Sequence, residues 1–192
     1  MNPYLLRFVK DSFNRPGKAL DLGAGNYGDV KSLQGLGWKA YGVDLKNGVD
    51  LNLVYESPYK PFDLVYSNYL LHKIGNKVRF FKNISHNLKS GGSFFVRYLI
   101  DGASSKSEVV KINQIVDRMN LVVLRFSVSR VYDSESGHKH WHQVFTVIGS
   151  KRANYQKGGT AVAAKVKSRT IRGKPKPRVV ATIGKGSCGI CD

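Results

Sequence analysis

The stretch of sequence that decides the fold reads Ala19-Leu20-Asp21-Leu22-Gly23-Ala24-Gly25-Asn26-Tyr27-Gly28. It continues a short apolar segment, Lys18–Leu22, that predicts a buried β-strand, and it ends in a glycine-rich turn. Residues 29–36 then show the apolar spacing of a helix. Because Gly23 and Gly25 have no Cβ, the backbone can turn sharply there and a ligand can lie directly against it. The pattern therefore predicts a strand, a ligand-binding turn and a helix in succession.

A second acidic residue follows one predicted strand later. Asp44 comes 23 residues after Asp21, at the end of the predicted strand 39–45. A carboxylate in that place can accept hydrogen bonds from both hydroxyls of a ribose. The start of the helix after the turn is expected to offer free N–H groups to an anionic group. Together these features predict a nucleoside-binding crevice at the carboxyl ends of parallel strands.

The spacing of Gly23, Gly25 and Gly28 also satisfies the fingerprint of dinucleotide-binding proteins, which is a weak signal when it stands alone. Asp21 bears on this choice, because a carboxylate two residues before the first glycine is unfavourable for a diphosphate. A ligand with a sulfonium cation and a zwitterionic amino-acid end, such as S-adenosylmethionine, is compatible with that carboxylate. Two alternatives stay open: that Asp21 only caps the turn, and that the chain is an NAD(P)-dependent oxidoreductase.

The rest of residues 1–150 alternates apolar strands with amphipathic helices. This alternation predicts an open, mostly parallel α/β sheet with a C-terminal antiparallel hairpin. Seven strands are expected if the very short segment 49–51 is counted. The predicted strands are 18–22, 39–45, 49–51, 62–67, 93–99, 121–131 and 141–148, and the predicted helices are 4–13, 29–36, 77–88 and 107–119.

Four segments of this sequence follow one another along the chain: DLGAGNYG at 21–28, GVDL at 42–45, FDLVYSNYLLHKI at 62–74 and LKSGGSFFV at 88–96. They resemble the successive motifs of class I, Rossmann-like, S-adenosylmethionine-dependent methyltransferases. The resemblance covers residues 18 to about 148. It implies a seven-stranded sheet whose last strand is antiparallel, and S-adenosyl-L-methionine as the methyl donor.

The same resemblance implies which residues bind the cofactor, although it points to no catalytic residue. The methyl acceptor is not indicated and could be a small molecule, a protein or RNA. The implied set comprises Asp21, Gly23 and Gly25 along the methionine part, Asp44 at the ribose, Asp50 and Leu51 beside the adenine, Ser67 and Asn68 over the methionine end, and Asn26 and Leu45 as flanking residues.

Two departures from the family pattern affect the acceptor side. Only Lys46-Asn47-Gly48 separates the second predicted strand from residues 49–51, where the family usually has a helix, and the region before the first strand is short. We therefore expect an acceptor site that is open or completed by a partner. His72, Tyr98 and Asp101 fall near the expected acceptor position, and His72 is expected to pack over the cofactor rather than act as a base.

Charge is unevenly distributed along the 192 residues, which carry a formal net charge of +18. Residues 151–192 contribute +10 of it and lack the bulky side chains of a core. We therefore predict a methyltransferase domain at 1–150 followed by a basic, disordered tail at 151–192. Such a charge density attracts RNA through counterion release, although it can also serve solubility alone. A nucleic-acid-binding protein on a degenerate methyltransferase fold is thus the second functional hypothesis.

Two further patterns are weak metal candidates. Cys188 and Cys191 supply only half of a zinc site and are expected to be reduced thiols. His138, His140 and His142 alternate along the chain, but no fourth ligand is apparent, so no metal is expected. The apolar runs are shorter than the ~20 residues that cross a bilayer, and no signal peptide is evident, so we expect a cytoplasmic protein without a membrane partner.

Overall fold

A six-stranded sheet lies at the centre of the computed structural model, which describes residues 1–100, 105–133 and 140–153. The spatial order of the strands is β2-β1-β3-β4-β6-β5. The strands are β1 (Lys18–Leu22), β2 (Lys39–Val43), β3 (Phe62–Asn68), β4 (Leu88–Ile100), β5 (Leu121–Asp133) and β6 (His140–Lys151). The helices are α1 (Pro3–Ser12), α2 (Gly28–Gly35), α3 (Lys77–Asn87) and α4 (Ser105–Arg118), with short 3-10 helices at Leu45–Asn47 and Leu71–Lys73.

Strands β1 to β4 run parallel to one another, whereas β6 runs antiparallel to both β4 and β5. The predicted mostly parallel α/β sheet with an antiparallel last strand is therefore confirmed. In this arrangement the carboxyl ends of β1, β2 and β3 meet at one edge of the sheet. Any crevice formed there is bounded by the turns that follow Leu22, Val43 and Asn68.

The expected seventh strand is wrong, since residues 49–51 pair with no strand and the described part of the chain holds six. The second strand is also shorter than predicted. It ends at Val43, and a 3-10 helix begins two residues later, at Leu45. The reason lies in the partners of the loop backbone. The carbonyl of Leu51 accepts a hydrogen bond from the Asn83 side chain at 3.3 Å, so it bonds to helix α3 rather than to a strand.

Helix α1 begins where its sequence supplies a cap. The Asn2 side chain accepts hydrogen bonds from the backbone N–H groups of Tyr4 and Leu5, and Pro3 occupies the first turn. One face of the helix is buried, and Phe8 on that face packs against Phe95 of β4 with ring centroids 5.5 Å apart. The helix thus covers the sheet next to the carboxyl end of β4.

Both faces of the sheet are covered, which explains the uninterrupted apolar runs of the parallel strands. One buried cluster joins the sheet to α1 and α2 and includes Leu5, Leu33 and Phe95. The other joins the sheet to α3 and α4 and includes Phe81 and Val116. Among the described residues, no helix is both long and apolar enough to cross a bilayer.

The last strand continues beyond the predicted domain end at residue 150. Lys151 belongs to β6, and its ammonium group donates to the carbonyls of Ser85 and Leu88 at 2.6 and 3.1 Å. One compact unit spans Met1–Tyr155. Residues 154–192 of the predicted basic tail, with Cys188 and Cys191, lie outside the described residues, so the disorder of this part stays a prediction.

Candidate active site

The glycine-rich turn after β1 adopts the backbone conformation that the sequence predicted. Gly23 and Gly25 both have positive φ, at 88° and 54°. A Cβ on Gly23 would lie 2.6 Å from Leu70 Cδ2, so no larger residue fits there. A Cβ on Gly25 would meet nothing within 4 Å, because this residue faces open space. The turn therefore presents bare backbone to a cavity at the edge of the sheet.

The N–H groups of this turn are engaged inside the protein. Those of Gly23 and Ala24 donate to the carbonyl of Val43 at 2.8 and 2.9 Å, and that of Gly25 donates to the Asp44 carboxylate. The Gly28 N–H, at the start of α2, bonds to the Asn26 side chain. The free N–H groups were expected at the helix start, where the N–H of Gly28 already has this partner. The turn is a poor cradle for a diphosphate, which counts against the dinucleotide alternative.

The Asp44 carboxylate lies at the end of β2 and bridges two turns. It accepts from Gly25 N–H at 2.9 Å and from Lys46 N–H at 3.1 Å. These two hydrogen bonds, to Lys46 and to Gly25, lower the pKa of the carboxyl against the effect of burial, with the Lys46 and Lys73 charges adding to them. A carboxylate offers about four acceptor positions, so an ionised Asp44 can still accept hydroxyl groups from a ligand.

A cavity of about 450 Å³ lies between this turn and the loop after β2, within the size range of small-molecule sites. Seven of the predicted residues line it: Gly23, Gly25, Asp44, Leu45, Asp50, Leu51 and Asn68. The sequence analysis missed seven more: Lys46, Val49, Asn52, Tyr69, Leu70, Lys73 and Ile74. We call this space the large cavity.

A second cavity of about 370 Å³ adjoins the first, since Gly23, Gly25 and Asn68 line both. Asp21 and Asn26, both members of the predicted cofactor-binding set, line this small cavity. The Asp21 side chain is buried, and its Oδ1 atom has no hydrogen-bond partner.

Several groups act on the Asp21 carboxyl. Burial and the nearby Asp29 carboxylate raise its pKa well above the ordinary value. Asp44 acts in the same direction, and the Tyr66 hydroxyl opposes it. A positive group in this small cavity would offset the cost of the buried charge.

Asp29 is a site residue that the sequence analysis missed, although an acidic residue in the first turn of the helix after a glycine turn was a usable signal. Its Oδ2 atom accepts from the Asn68 side chain at 2.7 Å, and its Oδ1 atom accepts from the Asn2 backbone at 2.7 Å. Asp29 therefore ties the end of β3 and the start of α1 to helix α2. These contacts form the outer wall of the small cavity.

The loop after β2 carries Asp50 and Leu51 into the large cavity because two buried asparagines on α3 hold it. The Asn83 amide donates to the carbonyls of Leu51 and Leu53, and its oxygen accepts from Tyr55 N–H. Asn87, one helical turn later, accepts from Ser57 N–H at 2.8 Å and donates to the Tyr55 carbonyl at 3.0 Å. This asparagine pair therefore fixes the loop that follows β2 against helix α3.

The sequence model of the family described as "Methyltransferase domain" matches residues 1–145. The chain belongs to the methyltransferase-domain family. The resemblance to class I methyltransferases, and the expectation of a methyltransferase enzyme, are thereby confirmed. No curated protein matches the chain in sequence.

Several solved structures share the fold of this methyltransferase. TehB from Haemophilus influenzae is 15% identical over 79% of this chain and 63% of its own, with a TM-score of 0.60. The 1,6-didemethyltoxoflavin-N1-methyltransferase of Burkholderia thailandensis is 15% identical over 79% and 77%, with a TM-score of 0.59. A SAM-dependent methyltransferase from Aquifex aeolicus is 16% identical over 76% and 88%, with a TM-score of 0.52. At these identities the likeness shows the fold.

Some predicted residues of the methyltransferase lie away from the cavities. Ser67 is fully buried and donates its hydroxyl to the Leu22 carbonyl at 2.7 Å, and it lines neither cavity. Tyr98 is buried, its hydroxyl donates to Glu108 Oε1 at 3.3 Å, and it lines neither cavity. His72 lies in the 3-10 helix after β3. Asp101 and His138 lie outside the described residues.

Proposed function

We propose that this methyltransferase binds S-adenosylmethionine across the large and small cavities and transfers its methyl group to an acceptor. One observation about the glycine turn carries the proposal: its N–H groups already form hydrogen bonds inside the protein, and carboxylates surround it. Asp21, Asp29 and Asp44 all lie at the glycine turn. The negative electrostatic potential of these carboxylates repels a diphosphate and attracts a sulfonium and an ammonium group. The Burkholderia thailandensis enzyme was crystallised with S-adenosylhomocysteine, which supports the same choice of ligand here.

The residues of each cavity fit one part of this ligand. Asp44 has free acceptor positions for the ribose hydroxyls, and Gly25 leaves open space beside them. Leu51 and Ile74 give the large cavity apolar walls suited to the adenine ring of the ligand. Asp21 lines the small cavity and has a buried oxygen without a hydrogen-bond partner, so it suits the ammonium group of the methionine end. We assign Asn68 to the junction because it lines both cavities.

When bound, S-adenosylmethionine supplies an electrophilic methyl group attached to a cationic sulfur. The protein has to hold that group in line with a nucleophile and exclude water from it. In our proposal Asp44 and Asp21 hold the two ends, while Asn68 and Tyr69 bound the middle. A general base is needed only when the acceptor atom carries a proton of high pKa. We therefore assign no catalytic residue.

Titration calorimetry with S-adenosylhomocysteine tests the proposal directly. We expect binding by the full-length protein, and weaker or no binding of NAD under the same conditions. Absence of heat with both S-adenosylmethionine and S-adenosylhomocysteine, at high concentrations of folded protein, would overturn the proposal. A tritiated donor incubated with cell extract, later separated into RNA, protein and small molecules, then identifies the class of acceptor.

We also carry forward two proposals from the sequence. Residues 151–192, with a net charge of +10, are proposed to bind RNA. A steep salt dependence of RNA binding that is lost when residues 156–192 are deleted would support this.

The cytoplasm is proposed as the location of the protein, and fractionation of cells that express the tagged full-length chain tests it.

A further inference from the structure

One row of residues crosses the sheet from the cofactor cavities to a separate space under helix α1. Asn68 of β3 is in register with Arg97 of β4, Arg97 with Thr146 of β6, and Thr146 with Ser127 of β5. Neighbouring strands lie about 4.8 Å apart, so Thr146 is roughly 10 Å from Asn68. All four residues are polar. The row thus joins the junction of the cofactor cavities to the edge of the sheet.

The far end of this row lines a third cavity of about 250 Å³. Its wall includes the hydroxyl residues Ser127 and Thr146, the ring of Tyr4, and the side chains of Arg7 and Arg125. We call it the arginine cavity. None of its lining residues is acidic. Phe8, Phe95 and Ile148 complete the wall, so its size and its hydrogen-bond donors suit a small anionic group held beside an apolar surface.

Arg97 stands between the arginine cavity and the cofactor cavities. Its side chain is only 2% exposed, and its guanidinium carbon lies 3.8 Å from the centroid of the Tyr4 ring. Two of its nitrogens donate, to the Tyr69 hydroxyl at 2.8 Å and to Ser129 Oγ at 3.2 Å, but its Nε atom has no partner. Among the described residues no carboxylate forms an ion pair with it. Burying a charge is costly, so an anion near this guanidinium would be stabilised by it.

The two arginines in the wall add to this positive potential. Arg125 is exposed and makes no hydrogen bond or ion pair with any residue that the structure describes. Arg7 is within 3.6 Å of Asp11, but both side chains are largely exposed and such pairs are weak. Two arginines therefore line the cavity and a third, Arg97, lies against the Tyr4 ring in its wall, and the one carboxylate paired with them is solvated.

We propose that the arginine cavity binds an oxyanion, a phosphate or a carboxylate, carried by the methyl acceptor. Arg125 and Arg7 contact the oxyanion. Arg97, which lies against the Tyr4 ring, adds to the positive electrostatic potential of the cavity. The reacting atom of the acceptor then lies near Asn68, roughly 10 Å from its anionic end. The inference rests on the proposed function, because it takes the cofactor cavities as the place of methyl transfer.

The test uses the full-length protein with S-adenosylhomocysteine present, and calorimetry with three probes: inorganic phosphate, acetate and a short single-stranded RNA. Arg125→Ala is the main variant, since an exposed side chain can be removed without harm to the fold. Arg130→Ala is the matched control. Arg130 is an exposed arginine of the same strand, five residues on, and therefore points to the opposite face.

We expect at least one probe to bind the wild type, and Arg125→Ala to weaken that binding by about ten-fold, the size of one charged hydrogen bond. Arg130→Ala should leave it unchanged. Only binding that Arg125→Ala weakens is assigned to the arginine cavity: of phosphate it identifies a small phosphorylated acceptor, of acetate a carboxylate, and of the RNA alone a phosphodiester chain. No binding of any probe, or equal losses in the two variants, would overturn the inference.

Titration of S-adenosylhomocysteine into the same samples separates this inference from the function on which it rests. If the cofactor product binds and no anion does, only the arginine cavity has been misassigned. If anions bind in the expected pattern and S-adenosylhomocysteine does not bind, the oxyanion site stands and the proposed methyl donor is wrong.

Discussion

The carboxylate of Asp44 accepts the backbone N–H of Gly25 at 2.9 Å, across the gap between the ends of two parallel strands. The residue expected to hold a ribose therefore also holds the turn against which the ligand would lie. A change at Asp44 should for this reason affect both the affinity for the cofactor and the stability of the turn.

Replacement Asp44→Ala should weaken binding of S-adenosylhomocysteine by about 1–3 kcal/mol, because ribose contacts and the shape of the turn are lost together. Asp44→Asn should lose less, since its amide oxygen can still accept the Gly25 N–H. Calorimetry measures the affinities. Asp11→Ala, which removes an exposed carboxylate on α1, serves as the control. Equal affinities in all four proteins would contradict the role of Asp44.

The raised pKa of Asp21 predicts a pH dependence of stability that one substitution removes. Below the unfolded pKa of about 3.9 the carboxyl is protonated in both states and costs nothing. As the pH rises from there to the raised folded pKa, the unfolded chain loses the proton while the folded chain keeps it, so the free energy of unfolding falls until the folded carboxyl ionises as well. Asp21→Asn should lack this fall, which urea unfolding at several pH values can measure. Parallel pH profiles of the two proteins would contradict the prediction.

Cofactor binding should also release a proton from Asp21. The ammonium and sulfonium groups of S-adenosylmethionine favour the ionised carboxylate, so its pKa should drop when the ligand binds. Calorimetry in two buffers of different ionisation enthalpy should then give different binding heats at a pH between the free and bound pKa values. In Asp21→Asn the two heats should agree.

Alanine at the two glycines of the turn should have separable effects. Gly23→Ala should destabilise the fold, since its Cβ would collide with Leu70 at a positive φ. Gly25→Ala has room but still a positive φ, so it should cost less stability and weaken cofactor binding by placing a methyl group in the cavity. Thermal unfolding and calorimetry distinguish the two effects. Gly35→Ala, in open space on α2, should be neutral or stabilising.

Loss of the Asn83 side chain should loosen the loop that lines the large cavity. Asn83→Ala leaves the Tyr55 N–H and two carbonyls without partners, which should lower the free energy of unfolding by about 1–3 kcal/mol or more. Cofactor affinity should fall as well, because Asp50 and Leu51 are no longer held. Lys82→Ala, the adjacent and half-buried residue of α3, is the control and should change neither quantity. Unfolding in urea and calorimetry provide both readings.

The local parts of this fold could be predicted from the sequence. Strand β1 has the bounds expected from its apolar run, and the glycine turn, Asp44 and Asn68 line the cavities where the motifs placed them. These predictions succeed because they depend on residues close together in the chain. A glycine turn between a buried strand and a helix has few other conformations available to it.

The missed parts depend on contacts between distant segments. Residues 49–51 look like a strand by composition, but their backbone bonds to Asn83, some thirty residues later, and no local pattern reveals that partner. Tyr69 and Ile74 enter the large cavity because the chain turns sharply after β3, with Tyr69 at a positive φ of 57°. Ser67 alternates with Asn68 along the strand, so only one of the two could face the ligand.

The asparagine pair on α3 has a consequence for how the enzyme meets its ligand. Segments of this kind in other proteins often open independently of the body and must be ordered at each encounter, at an entropic cost. Here the amides of Tyr55 and Ser57 are bonded to a buried helix face, so their hydrogen exchange should follow the unfolding of that helix. One wall of the binding site is consequently rigid before any molecule arrives, and the conformational adjustment on binding falls to the opposite wall.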